Sequence, residues 1–125
     1  MSLARFKLVF FSPSANTRAI LDHLFTKFPA HVGKIGNYER CAFLTRGTGQ
    51  FAPAEGANPT IGHVGELEHV EEDRVEVLVL ERMREVVAAL KDVSELRADF
   101  CLGQHERKVH PYEEVAYDVY KLEDY

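Results

Sequence analysis

One stretch near the end of the chain decides the fold: His110-Pro111-Tyr112-Glu113-Glu114-Val115-Ala116-Tyr117-Asp118-Val119-Tyr120. Its last six residues alternate between two sets of side chains, which predicts a β-strand because successive strand residues point to opposite faces. The strand follows a turn that Pro111 fixes through its locked φ angle. This turn carries a histidine and two adjacent carboxylates, so it is both a strand entry and a candidate site.

The first half of the chain predicts a strand followed by a helix. Residues 7–11 form an apolar run without polar alternation, as expected for a strand that is buried on both faces. Ser12 is a candidate N-cap for a helix whose first residue is Pro13, where a missing N–H costs nothing. Apolar residues then recur at helical spacing over 20–28, and this helix is expected to stop near Pro29.

The second half predicts two strands, a helix and the final strand. Residues 40–45 are typical of a strand, and 74–80 alternate strictly, in a strand that can begin as early as Glu66. Apolar residues at helical spacing over 83–90 predict the second helix. The order βαββαβ predicts an α+β, ferredoxin-like sandwich, an antiparallel sheet with two helices on one face. The uncovered sheet face is then a candidate oligomer surface.

Composition narrows the class of protein. The 125 residues predict a single domain over 1–125, and the 46% hydrophobic content is typical of a globular protein. A net charge of −5 disfavours nucleic acid and anionic membranes as partners. Cys41 and Cys101 are too few for a disulfide framework, and no apolar run is long enough to be a signal core or to span a bilayer. A cytoplasmic location is expected.

The central connection, residues 47–65, is rich in turn-forming residues. It contains five of the eight glycines and two of the five prolines. A loop of this length is uncommon in a small domain unless it has a function, and its glycines allow structured turns. Backbone amides around Gly47, Gly49 and Asn58 could cradle an anion or another ligand. The alternative is a structured loop that packs against a neighbouring subunit.

Several separated motifs together resemble one known family. They are Lys34-Ile35-Gly36-Asn37-Tyr38, Cys41 with Phe43, Gly47-Thr48-Gly49 with Phe51 and Pro53, Gly56-Ala57-Asn58-Pro59, Gly62, Gly65, Glu68, and finally His110-Pro111-Tyr112-Glu113-Glu114 with Tyr117-Asp118-Val119-Tyr120. This series resembles the small domain inserted into Nif-three-like (Ngg-one-interacting-factor) proteins, in its stand-alone form. The likeness covers most of the chain, in the expected order.

The resemblance implies a PII-like or CutA-like domain of a group that commonly forms trimers. The dinuclear metal centre of the full-length family lies in a flanking domain for which this chain has no room. We therefore expect neither that metal centre nor a hydrolase or cyclohydrolase activity in this chain. One departure is clear: residues 94–109 look like an insertion before the His-Pro-Tyr-Glu-Glu motif.

The candidate site residues come from the turn and the loop. For a small ligand at a subunit interface, the predicted contacts are His110, Tyr112, Glu113, Gly47, Gly49 and Asn58. For a divalent metal, they are His110, Glu113 and Glu114 with His63 from a neighbouring subunit. For each group, a purely structural role is the alternative: a solvated turn, a packed loop or a surface histidine. Cys41 is expected to be a small core residue in mid-strand.

No nucleophile, base and orienting group can be assembled from the sequence, so no catalytic residue and no obligatory cofactor is predicted. The favoured function is a cytoplasmic, oligomeric PII-like module, a trimer that binds a regulatory ligand at subunit-interface clefts. The first alternative is a divalent-metal-binding module that resembles CutA. The second is a structural or protein-interaction module whose motifs maintain oligomer packing.

Overall fold

The computed structural model describes residues 3–58, 62–91 and 115–125. The elements in chain order are β1 (Arg5–Pro13), a 3₁₀ turn (Ser14–Asn16), α1 (Thr17–Lys27), β2 (Phe43–Phe51), β3 (Glu68–Leu80), α2 (Met83–Lys91) and β4 (Tyr117–Leu122). The predicted order of strands and helices is confirmed. Among these described elements, no helix is long and apolar enough to cross a membrane.

The four strands form one sheet in the order β2-β3-β1-β4, and each neighbouring pair is antiparallel. Leu8 at the centre of β1 lies opposite Val77 of β3 and Val119 of β4. β1 occupies an inner position of the sheet, and Leu8, Val9 and Phe10 at its centre are all 0% exposed, so both faces of the strand are buried there. The predicted α+β, ferredoxin-like class is thus confirmed.

The hydrophobic core lies between one face of the sheet and both helices. Alternate residues of the two inner strands supply the sheet side, and the apolar stripes of the helices supply the other. The largest contributions come from Leu8, Phe10, Val75, Val77 and Val79 of the sheet and from Ile20, Leu24, Phe28, Val86 and Leu90 of the helical layer. The alternation predicted for the third strand is confirmed, and that strand begins at Glu68.

The opposite face of the sheet carries ion pairs over an apolar base. The Lys7 ammonium lies 3.5 Å from a carboxylate oxygen of Glu76, and the Arg74 guanidinium lies 3.3 Å from the other oxygen. The Arg74 guanidinium also lies 5.9 Å from the ring centroid of Phe11. Val9 of β1 lies opposite Glu76 in the sheet and is fully buried beside these side chains, although neither described helix packs on this face.

Three local predictions were wrong. Ser12 does not cap α1, because β1 continues to Pro13 and the Ser12 hydroxyl bonds the Thr17 hydroxyl instead. The second strand is not 40–45 but β2, which runs through Gly47 and Gly49 because β3 offers a continuous ladder of partners. Cys41 therefore precedes β2 rather than lying within it, and it is only partly buried.

Candidate functional site

The β2–β3 hairpin projects beyond the rest of the sheet. β1 pairs with β3 only as far as Glu72, whereas β2 follows β3 to its first residue, Glu68. Four residue pairs, from Thr48↔Glu71 to Phe51↔Glu68, thus form a two-stranded extension that we call the ribbon. At the usual rise per strand residue, the ribbon adds about 13 Å to the length of the molecule.

The loop at the ribbon's tip folds back on the strands. The Gly65 N–H donates a hydrogen bond of 2.7 Å to the Pro53 carbonyl, and Pro53 is buried. Gly62 has φ +87°, and a Cβ there would lie 2.6 Å from the Glu68 side chain. The described part of the loop is therefore structured, in agreement with the reasoning from its glycines.

Three carboxylates lie on the ribbon and at its base: Glu68 and Glu71 in the ribbon, and Glu72 next to it. A Cβ on Gly49 would clash with the carboxylate of Glu72, so glycine makes room for that acidic side chain. Glu68 and Glu72 lie on the same face of the ribbon as Gly49, and Glu71 lies on the other. A field of negative charge disfavours a phosphate at this position and favours a cation or a hydrogen-bond donor.

A buried polar network lies at the base of the ribbon. The Asp73 carboxylate is 4% exposed and accepts hydrogen bonds from the Thr17 hydroxyl at 2.7 Å and the Ser14 hydroxyl at 3.1 Å. Because the Thr17 proton goes to the carboxylate, the fully buried Ser12 hydroxyl donates to Thr17, also at 2.7 Å. The Arg46 Nε lies 3.5 Å from the same carboxylate. The network ties the end of β1, the start of α1 and both ribbon strands together.

The same contacts determine the charge of the carboxylate. The Thr17 hydrogen bond lowers the pKa of Asp73 below its ordinary value of 3.8, and the Ser14 hydrogen bond and Arg46 act in the same direction. Burial opposes them because it disfavours the charged form, yet the net shift is downward. Asp73 is therefore ionised at neutral pH, and its hydrogen-bonded, paired position is typical of a structural group.

Comparisons with known proteins identify relatives of the chain. A 118-residue alignment with a Halalkalibacterium halodurans protein named GTP cyclohydrolase 1 type 2 homolog is 42% identical and covers 94% of this chain and 27% of that protein. The protein of the same name from Mycobacterium tuberculosis is 40% identical over 93% of this chain and 26% of its own length. A solved Bacillus cereus structure, of a protein related to NIF3, has a TM-score of 0.68 and 34% identity, with coverage of 99% of this chain and 27% of that one. The chain is related to NIF3-like proteins. No family model matches the sequence.

The NIF3-like relatives are much longer than this chain, which spans about a quarter of their length. The comparison agrees with the predicted resemblance to Nif-three-like proteins and with the fold. The name of the relatives contains the word homolog, which does not establish an enzymatic activity for them. That the chain is a stand-alone, PII-like domain stays a prediction.

The structure describes only some of the predicted site residues. Gly47 and Gly49 lie in β2, and Asn58 and His63 lie in the loop at the ribbon's tip. The remaining predicted site residues, His110, Tyr112, Glu113 and Glu114, lie outside the described residues, as does the predicted insertion at 94–109. Within the described ranges, no group of three or more histidine, cysteine or acidic residues is arranged to hold a metal ion.

Sequence reasoning missed the Asp73 network, although a signal was present. Asp73 follows Glu71 and Glu72 and looks like part of a solvated acidic run. Its position is nevertheless in phase with the buried valines of β3, and Ser12 is in phase with Leu8 and Phe10 of β1. A polar residue in phase with a buried strand face must have a partner, so strand phase alone could have indicated this network.

Proposed function

We propose that this chain is an oligomeric, PII-like regulatory module that binds a small molecule in clefts between its subunits and has no catalytic site of its own. The observation that carries the proposal is the ribbon, which continues an open sheet edge and carries a cluster of carboxylates. The β2 edge would pair with a second copy of the chain. The acidic ribbon, which reaches past this edge, would then form a cleft with that copy.

The edge formed by β2 supports self-association. Among the described strands, none pairs with the outer side of β2, and most of its nine residues are exposed. Phe43 is 67% and Leu44 46% exposed, and Arg46 is the one charged residue of the strand. Long edges with few charged residues and no proline are templates for pairing with another chain. A homotrimer is the assembly that the resemblance to PII-like and CutA-like domains favours.

The acidic ribbon supports a positively charged ligand rather than a nucleotide. Glu68 and Glu72 flank Gly49 on one face of the ribbon, so an anion placed there would meet two carboxylates. The proposed cleft would use Gly47, Gly49 and Asn58 from this hairpin. His110, Tyr112 and Glu113 are proposed to complete it from the turn before β4.

The relatives' name mentions a GTP cyclohydrolase, but we do not propose that activity for this chain, because the chain spans only about a quarter of those proteins. The CutA-like alternative would use His110, Glu113 and Glu114 with His63 of a neighbouring subunit. It is kept as an outcome of the ligand experiment. A purely structural module is the other outcome.

Light scattering coupled to size exclusion tests the assembly. The wild-type chain is expected to have the mass of a trimer at roughly 100 μM, and Phe43→Glu is expected to shift the mass toward the monomer. Ile35→Glu is the matched control, since Ile35 is 53% exposed but lies outside β2. A wild-type monomer at this concentration, or equal masses for all three proteins, would contradict the proposed assembly.

Thermal-shift measurements test the ligand class. Spermidine, adenine nucleotides and salts of copper, zinc and manganese are the probes, because a ligand that binds only the native state raises the unfolding temperature. We expect a shift with spermidine that Glu72→Gln diminishes, and none with the nucleotides. A shift with metals alone that His110→Ala abolishes would replace the proposal with the CutA-like alternative. No shift with any probe would favour the structural module.

A further inference from the structure

A second cleft lies far from the ribbon, between α1 and the loop that leads to β2. Asp22, Phe25 and Thr26 are spaced so that they share one face of α1. Glu39 and Arg40 face them from the loop, and the buried side chain of Val32 lines the cleft between the two walls. The cleft has a volume of about 470 Å³. Small-molecule sites in proteins have volumes of about 300–1,000 Å³.

The loop wall of this cleft is held in place by backbone hydrogen bonds. The Cys41 N–H donates to the Gly33 carbonyl at 2.9 Å, and the Gly33 N–H donates to the Leu78 carbonyl of β3 at 2.8 Å. Gly33 has φ +76°, and a Cβ there would lie 2.7 Å from the Phe25 ring. The loop thus packs directly against the aromatic side of the cleft, and the cavity is preformed.

Arg40 adopts an unfavourable backbone conformation at the rim. Its φ is +57°, in the left-handed region that disfavours residues with a Cβ. The neighbouring hydrogen bond between Cys41 and Gly33 holds the chain in this conformation. Strained residues of this kind cluster at ligand sites, where the surrounding structure maintains them for a functional side chain.

The cleft holds charges of both signs that do not neutralise each other. Elsewhere, Arg46 lies 3.5 Å from a carboxylate and Arg82 lies 3.6 Å from one. Within the described part of the chain, no carboxylate lies within 4.0 Å of the Arg40 guanidinium, although Asp22 and Glu39 line the same cavity. The geometry thus keeps one cation and two anions apart around an apolar base.

We propose that this cleft binds a small zwitterionic molecule of the α-amino-acid class with an apolar side chain. The ligand's carboxylate would pair with Arg40, its ammonium group with Asp22 and Glu39, and its side chain would contact Phe25. The cleft lies beside the end of β3 that carries Leu78, whereas the ribbon extends from the other end. This site is therefore separate from the proposed interface cleft and does not depend on it.

Titration calorimetry with L-leucine and L-phenylalanine tests the proposal. We expect dissociation constants of about 1 mM or tighter. L-leucinamide lacks the carboxylate and N-acetyl-L-leucine lacks the ammonium group, so both are expected to bind at least about tenfold more weakly. No heat of binding with either amino acid at roughly 20 mM would overturn the proposal, as would an analogue that binds as tightly as L-leucine.

Variants of the chain locate the binding. Arg40→Gln is expected to weaken L-leucine binding about tenfold, while Arg18→Gln, an exposed position of α1 that does not line the cleft, leaves it unchanged. Arg40→Gly separates loss of binding from loss of fold, because glycine relieves the backbone strain while it removes the guanidinium. Its unfolding temperature should not fall. Unchanged binding in both Arg40 variants would show that leucine binds elsewhere and would overturn this site.

Discussion

The buried carboxylate of Asp73 allows a quantitative test of what holds the base of the ribbon. Its two hydroxyl donors lie at 2.7 Å (Thr17) and 3.1 Å (Ser14), and hydrogen bonds to a charged group contribute about 1.5–3 kcal/mol each. Ser14 is partly accessible, so its bond is expected at the low end, and the largely exposed Arg46 adds less than about 0.5 kcal/mol. Asp73→Ala should therefore lower the free energy of unfolding by about 3–5 kcal/mol.

The pH dependence of stability distinguishes the contribution of the Asp73 charge from that of side-chain packing. Because the native pKa of Asp73 is lowered below 3.8, its contribution is complete at neutral pH and is lost as pH falls through 3.8 toward the native pKa. Asp73→Asn keeps the shape of the side chain but removes the charge. The stability difference between wild type and Asp73→Asn should be about 1–2 kcal/mol at pH 7 and should shrink steadily below pH 4.

Urea denaturation of the wild type and both variants, at several pH values and one protein concentration, measures these differences. Glu71→Ala is the matched control: this side chain is 68% exposed and only 4.0 Å from Arg46, so it should cost less than about 0.5 kcal/mol. A loss under about 1 kcal/mol for Asp73→Ala, or a difference for Asp73→Asn that is equal at pH 7 and pH 3, would refute the reasoning.

Three further predictions concern backbone conformation and the core. Gly33→Ala should cost about 2–4 kcal/mol in urea denaturation, because its Cβ would meet Phe25 and the Cys41 backbone, whereas Gly36→Ala, with open space around it, should cost only about 1 kcal/mol. Arg40→Gly should raise stability by about 1 kcal/mol in the same assay; a loss would show that Arg40 is not strained. Leu24→Ala should cost about 2–5 kcal/mol, since Leu24 is 0% exposed; a smaller loss would contradict its place in the core.

The parts of the fold that the sequence predicted are those where one physical signal dominates. The helical stripes and the alternation of β3 both arise from a single buried face, and both were found. The sequence misplaced β2 because the local signal and the long-range strand pairing disagree there. Gly47 and Gly49 favour a loop locally, yet the ladder to β3 and the room needed by Glu72 determine the outcome, and both belong to another segment of the chain.

The candidate sites were less predictable than the fold. The acidic character of the ribbon depends on register, because a shift of one residue would move Glu72 away from the face that carries Gly49. The second cleft depends on the path of the loop between α1 and β2, which Gly33 and its hydrogen bonds to Cys41 and Leu78 determine. Neither the register of the ribbon nor the path of this loop follows from a local pattern in the sequence.

The ends of the described sheet explain how such a fold can form a segment of much longer relatives. Arg5 of β1 lies opposite Leu122 of β4, and the Arg5 side chain donates a 3.2 Å hydrogen bond to the Glu123 carbonyl. Antiparallel partners have Cα atoms about 4.5–5.5 Å apart, so the first and last strands enter and leave the sheet side by side. The ribbon projects from the opposite end of the same sheet. The start of β1 and the end of β4 therefore lie at the end of the sheet that is farthest from the ribbon.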